Sequence, residues 1–183
     1  MDKLVSLVIL ELVEGSSDWI SPMSFVSKPD GDVSLVADQV HLNKCVKRPI
    51  HPFQCPKDIL AQIDPKAKYF TVFDAKSSYW QIPLDQNSKQ YTTFITEWGL
   101  YRYTRAPMGL ASSGDEFCKR ANQALACIPR LFKLVDDILL QGRTKKEIVE
   151  RVEAVFHCCL ENKITLSNSK YQVGQNVCGS CDH

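Results

Sequence analysis

Asp74 closes the run Tyr69-Phe70-Thr71-Val72-Phe73, five β-forming residues in a row. Farther along, Asp136-Asp137 interrupts a second apolar stretch, Leu131 to Leu140, which is otherwise broken only by Lys133. Ionised carboxylates at such places are expensive to bury unless something pairs with them. Brought together, they repel one another and their pKa values rise, unless a cation neutralises them. Mg²⁺ suits that task, because it is a hard ion usually held by one or two carboxylates together with substrate phosphates. A polar turn at Asp136-Asp137 and a helix cap at Asp74 are also compatible with these residues, so the carboxylates alone leave both readings open.

The surrounding elements constrain the choice. Successive side chains of a strand point to opposite faces, so two adjacent acids reach one site only from the turn of a hairpin. Leu134-Val135 and Ile138-Leu139-Leu140 supply the two arms of such a hairpin, and residues 69–73 read as a strand buried on both faces. Thr144 with Glu147 makes a capping box for a helix over 145–162, where Ile148, Val152, Val155, Phe156, Cys159 and Leu160 keep a 3.6-residue period. Ser113 with Glu116 predicts a second helix, through Phe117, Ala121, Ala124 and Leu125, that Pro129 stops. Hairpins are predicted over 19–38 around Lys28-Pro29-Asp30-Gly31, over 90–103 across Gly99, and over 171–178. Between them lie a Pro-rich connector over 43–56, carrying Lys44, Lys47 and Arg48, and a short helix at Asp58–Ile63. Leu4, Leu7, Val8 and Leu12 predict an amphipathic helix within the first fifteen residues. The sum is an α+β domain of antiparallel strands with two long helices on one face.

Composition narrows the function classes. In 183 residues, 44% hydrophobic and 23% charged side chains suffice for a packed core and exclude a disordered or fibrous chain. Glu11 and Glu14 interrupt the one apolar run that approaches a membrane span, and they stand where a signal peptide would need a small-residue cleavage site. Lys and Arg number 22 against 21 Asp and Glu, far from the basic footprint of a dedicated nucleic-acid binder. The distribution is uneven: residues 1–40 carry seven acids against Lys3 and Lys28, whereas residues 41–73 carry six bases against Asp58 and Asp64. The eight cysteines form no even disulfide framework and are read as reduced thiols of an intracellular, cytoplasmic protein. Cys178-x-x-Cys181 with His183 lacks the paired second half of a zinc site.

A longer block ties these features together. Thr71-Val72-Phe73-Asp74-Ala75-Lys76-Ser77-Ser78-Tyr79-Trp80-Gln81-Ile82-Pro83-Leu84 resembles the first catalytic block of retroviral and long-terminal-repeat retrotransposon reverse transcriptases. Trp19-Ile20-Ser21-Pro22 and Lys28-Pro29-Asp30-Gly31 resemble their fingers hairpin, and Leu42-Asn43 with Pro49 and Pro52 the connector after it. Arg105-Ala106-Pro107-Met108-Gly109-Leu110 resembles the next block, and Leu134-Val135-Asp136-Asp137 stands where that family has Tyr-x-Asp-Asp. The resemblance runs in order from about residue 19 to 179 and is nearest to the gypsy-type retroelements.

It implies an RNA-directed DNA polymerase with right-hand fingers and palm, a ferredoxin-like antiparallel palm sheet backed by helices, and no thumb. Residues 1–18 would be an N-terminal helical segment, about 19–40 the fingers hairpin, 41–56 the connector, about 66–179 the palm, and 180–183 an atypical tail. Asp74, Asp136 and Asp137 would hold two Mg²⁺ or Mn²⁺ ions; Lys28, Ala75, Tyr79 and Met108 would meet the incoming deoxynucleotide, Tyr79 by excluding a ribose 2′-hydroxyl and Ala75 through its backbone N–H. An RNA or DNA template with its primer would be the partner, and the thumb and ribonuclease H segments of a parent polyprotein would be missing. Departures are Ser34 and Val40 where relatives carry Arg, Leu134 for Tyr, and Gly114 for a common Pro. A lost charge-assisted phosphate contact costs about 1.5–3 kcal/mol, which motivates the alternative of a truncated or domesticated copy that binds nucleic acid without polymerase activity.

Overall fold

The computed structural model describes residues 1–27, 33–49, 51–52, 54–168 and 172–175. In chain order the elements are α1 (Asp2–Ser6), β1 (Leu10–Leu12), β2 (Met23–Ser27), β3 (Val33–Ala37), α2 (Val40–Cys45), α3 (Pro56–Gln62) and β4 (Tyr69–Asp74). They continue as α4 (Gln86–Lys89), β5 (Phe94–Thr96), β6 (Gly99–Tyr103), α5 (Ala111–Leu125), β7 (Leu131–Leu134), β8 (Asp137–Gly142), α6 (Lys145–Glu161) and β9 (Gln172–Gln175). The chain divides into two compact units. Residues 1–50 and 79–117 make the first, and 51–78 with 118–183 make the second.

The first unit contains the antiparallel sheet β1-β6-β5 and the hairpin β2-β3. Its core is Ile9, Leu10, Ala37, Phe94, Tyr101 and Tyr103, with Trp80 and Leu84 packed against it. The amphipathic helix predicted for the N-terminus extends only to Ser6, and residues 10–12 are a strand instead. Pairing of Leu10 with Tyr103 and of Leu12 with Tyr101 explains the change, since it puts Leu10 at 1% exposure in the core. Five residues of helix have no comparable gain, because isolated short helices are marginal.

A second correction concerns α5. Its N-terminus is Ala111, not Ser113, and the Ser113 hydroxyl is buried and donates to the Pro107 carbonyl at 2.9 Å. The cap comes from Asn43 on α2, whose side-chain oxygen accepts the Ala111 N–H at 2.8 Å. The connector expected over 43–56 therefore begins as a helix with a structural task.

The second unit is built on the antiparallel sheet β7-β8-β4-β9. β4 and β8 pair without interruption from Tyr69–Gly142 to Asp74–Asp137. Alternation on β4 buries Thr71 and Phe73, while its other residues are half-buried, so the strand is less enclosed than predicted. The helix predicted over 145–162 is α6, and its capping box forms: Thr144 Oγ1 accepts the Glu147 N–H at 3.2 Å. Ile148, Val152, Val155 and Cys159 of α6 close over Phe73, Ile138 and Leu140, with Leu125 and Ile128 completing the core. Each fully buried aliphatic or aromatic side chain there stabilises the fold by roughly 1.5–3 kcal/mol. Gly142 lets the helix come this close, since a Cβ on it would stand 3.2 Å from Ile148 backbone and side-chain atoms.

Candidate active site

The β7-β8 hairpin places Asp136 in a turn of two residues and Asp137 at the first position of β8. Leu134 pairs with Asp137, leaving Val135 and Asp136 as the connection. Val135 has φ +55, a left-handed conformation that a β-branched side chain adopts at a cost on the order of 1–3 kcal/mol. Ties from the rest of the unit hold it there. The Val135 carbonyl accepts the Cys118 thiol at 3.8 Å, and the Asp136 carbonyl accepts the Ala75 N–H at 3.0 Å.

Asp74 faces Asp137 across the last pair of the β4-β8 ladder. Its carbonyl accepts the Ser167 N–H at 2.8 Å, and the next residue but one, Lys76, donates its N–H to Thr165 at 2.9 Å. The structure thus gathers Asp74, Ala75, Asp136 and Asp137 at one end of one sheet. Ala75 departs from its expected role: it is 4% exposed and its N–H is engaged by Asp136, so that N–H holds the hairpin rather than facing outward for a phosphate.

Asp136 Oδ1 is buried and has no hydrogen-bond partner. A charged acceptor left this way costs more than the roughly 1–3 kcal/mol of a neutral one. Nearby positive charge comes from Lys133, 6% exposed on β7, whose Nζ donates to the Cys118 carbonyl at 3.3 Å. Burial pushes the Lys133 pKa down, while Cys118 and Asp136 oppose that shift electrostatically. In the sequence Lys133 is only a break in an apolar run, and its place between Phe132 and Leu134 on a core strand is the one signal of its burial. Among the described residues, no three His, Cys, Asp or Glu side chains already converge as a metal cluster. The fit to a hard cation rests on the donor set, three carboxylates at one sheet end, and on the unpartnered Asp136 oxygen.

The other expected nucleotide contacts lie elsewhere in the chain. Tyr79 is the second residue of the 3₁₀ turn Ser78–Gln81 and is half-buried. Met108 is 56% exposed, in a loop gripped on both sides: Asn43 donates to the Gly109 carbonyl at 2.8 Å and caps Ala111, and Ser113 holds Pro107. Gly109 takes φ +89, where a side chain would be strained. Asp115, 1% exposed on α5, pairs with Arg48, neither of which sequence reasoning singled out as a pair. Lys28 lies outside the described residues.

A family model described as reverse transcriptase (RNA-dependent DNA polymerase) matches residues 28–178. The chain belongs to this family. Among reverse transcriptase relatives, it is 33% identical to the retrovirus-related Pol polyprotein from transposon 412 of Drosophila melanogaster, over 87% of this chain and 14% of the relative. It is 28% identical to that from transposon gypsy of the same organism, over 84% of this chain and 16% of the relative. The crystal structure of native prototype foamy virus protease-reverse transcriptase superimposes with a TM-score of 0.83 at 30% identity, over 95% of this chain and 23% of that one. The foamy viral protease-reverse transcriptase in complex with an RNA/DNA hybrid gives a TM-score of 0.85 at 28% identity, over 94% and 23%. The fold is therefore that of reverse transcriptase fingers and palm, and the chain spans less than a quarter of the length of these relatives. Reverse transcriptases work with divalent metal ions. Among the described residues, no helix is long and apolar enough to cross a membrane.

Proposed function

We propose that this chain is the fingers-palm region of an RNA-directed DNA polymerase from a gypsy-type retroelement polyprotein, transferring a nucleotidyl group from a deoxynucleoside triphosphate to a primer 3′-hydroxyl. The observation that carries the reading is the tight hairpin that sets Asp137 in register with Asp74 while leaving an oxygen of the neighbouring Asp136 buried and unpartnered. Asp74 and Asp136 are the principal ligands for two Mg²⁺ or Mn²⁺ ions, and Asp137 has a smaller share. When bound, such ions would lower the pKa of the attacking hydroxyl and stabilise the leaving pyrophosphate.

The chain's own residues do the positioning, which with charge neutralisation is most of what phosphoryl transfer requires. Ala75 holds the carboxylate hairpin through its N–H. Tyr79 presents a ring that a 2′-hydroxyl would strike, and so selects deoxynucleotides; Met108 contributes to the nucleotide pocket, and Lys28 meets the triphosphate. Residues 19–40 act as the fingers hairpin and 66–179 as the palm. The basic stretch with Lys44, Lys47 and Arg48 meets the template side of the primer-template duplex, while thumb and ribonuclease H segments belong to a parent polyprotein.

The test is primer extension on an RNA template with deoxynucleotides and Mg²⁺ or Mn²⁺, beside an Asp136→Asn control. Extension by the wild type that disappears in the control is expected. Absence of extension from a wild type with a cooperative thermal transition overturns the assignment for this chain.

A further inference from the structure

Two thiols of the second unit stand together away from the carboxylates. Cys127 follows the end of α5 and is exposed; Cys158 lies on α6 and is half-buried. Their sulfurs are 3.6 Å apart. The core fixes both backbones. Leu125 and Ile128 flank Cys127, and Val155 and Cys159 flank Cys158; all four belong to the same buried cluster. A disulfide places its sulfurs about 2.05 Å apart, so closure brings these two sulfurs about 1.5 Å nearer to one another.

The remaining described cysteines are poorly placed to compete. Cys159 is 3% exposed, and burial lifts its thiol to about 11. Cys118 is buried with its thiol on the Val135 carbonyl. Cys45 and Cys55 are exposed, and among the described residues neither makes a hydrogen bond to another thiol, as Cys127 and Cys158 do.

We propose that Cys127 and Cys158 form a site of reversible covalent modification, a dithiol that a small disulfide oxidant of the glutathione disulfide class converts to an intramolecular disulfide. The exposed Cys127, as thiolate, attacks the oxidant, forming a mixed disulfide and expelling one glutathione thiolate. Cys158 then loses its proton to solvent and attacks the Cys127 sulfur, expelling the second glutathione. Two thiols and one disulfide become one disulfide and two thiols, with no other oxidant required. Burial and the Cys127 contact raise the Cys158 thiol, so the closing step accelerates as pH rises and goes on doing so above the ordinary thiol pKa of about 8.5. The bond encloses β7, β8 and the carboxylate turn in a 31-residue loop. It restricts the unfolded chain more than it alters the folded one. The proposal is independent of the polymerase reading.

Incubation of the full chain with glutathione disulfide, alkylation of remaining thiols, and peptide mass spectrometry tests it. A Cys127–Cys158 linked peptide is expected in the wild type and in Cys159→Ser, and is expected to be absent in Cys127→Ser and Cys158→Ser. Oxidised wild type should melt about 7–15 °C higher, reversibly on adding dithiothreitol, the size expected for closing a loop of this length. Three results overturn the proposal: a stable glutathione adduct on Cys127 with Cys158 still alkylated, a link from either residue to another cysteine, or a melting temperature that falls on oxidation.

Discussion

Each unit buries a polar group without giving it a partner, and the two cases call for different remedies. In the second unit it is Asp136 Oδ1, a charged atom that only accepts, on a turn anchored by an unbroken strand ladder. In the first, besides the indole nitrogen of Trp80, it is Gln39, 3% exposed, with neither its amide nitrogen nor its amide oxygen hydrogen-bonded. A neutral amide carries both donor and acceptor, so an apolar side chain of similar volume relieves it. An ionised acceptor held at the end of a rigid sheet is relieved by positive charge. The contrast separates a packing flaw from a ligand-seeking atom by chemistry alone.

Asp136→Asn puts that distinction to the strongest test. Primer extension should fall about a thousandfold or more, on the several kcal/mol that metal stabilisation supplies, while the metal-free melting temperature stays level or rises. Added Mg²⁺ should raise the melting temperature of the wild type more than that of the variant. Gln39→Leu comes next: the first unit should gain about 1–3 kcal/mol in urea unfolding, with extension unchanged. Lost extension in Gln39→Leu, or lost stability in Asp136→Asn, breaks the comparison.

How much could be read in advance follows from how local each cause is. β8, the carboxylate turn and α6 announce themselves through neighbouring residues: alternation after Asp137, the Thr144–Glu147 box, and the period from Ile148 to Cys159. β1 does not, because what makes Leu10–Leu12 a strand is Tyr101 and Tyr103, some ninety residues away in the sequence. Ser113 matched a capping pattern yet serves Pro107, and the actual cap, Asn43, is supplied from 68 residues off. Asp74, Asp136 and Asp137 were legible as residues and as one constellation. That the Ala75 N–H is engaged by Asp136 could emerge only from the assembled sheet.

Smaller effects refine the contrast. Asn43→Ala should cost the first unit about 1 kcal/mol, a typical loss for a helix cap, and raise KM for deoxynucleotide more than it lowers kcat, because the loop of Met108 loses both its ties to Asn43. An Asn43 effect on kcat as large as that of Asp136→Asn would contradict the nucleotide-binding role proposed for Met108. The smallest effect is electrostatic. Arg130, the Lys66 N–H and Arg143 hold the Asp64 carboxyl well below the usual carboxylate range. Its stabilisation is therefore complete above the ordinary carboxylate pKa of about 3.9 and is lost as pH falls through the lower folded value. Thermal melts between about pH 5 and pH 2 should decline less steeply for Asp64→Asn than for the wild type.

The two-residue turn at Val135-Asp136 also makes the β7-β8 hairpin intolerant of length. One extra in-frame codon there that shifts β8 along β4 by one position would send Ile138 and Leu140 to the opposite face and carry Asp137 out of register with Asp74. A single lineage event of that kind would cost a copy of this element its core and its carboxylate constellation together. Insertions at the Glu97-Trp98 turn between β5 and β6, where Trp98 is 58% exposed, carry no such double penalty, so surviving copies should vary in length there and hold it constant at Val135-Asp136.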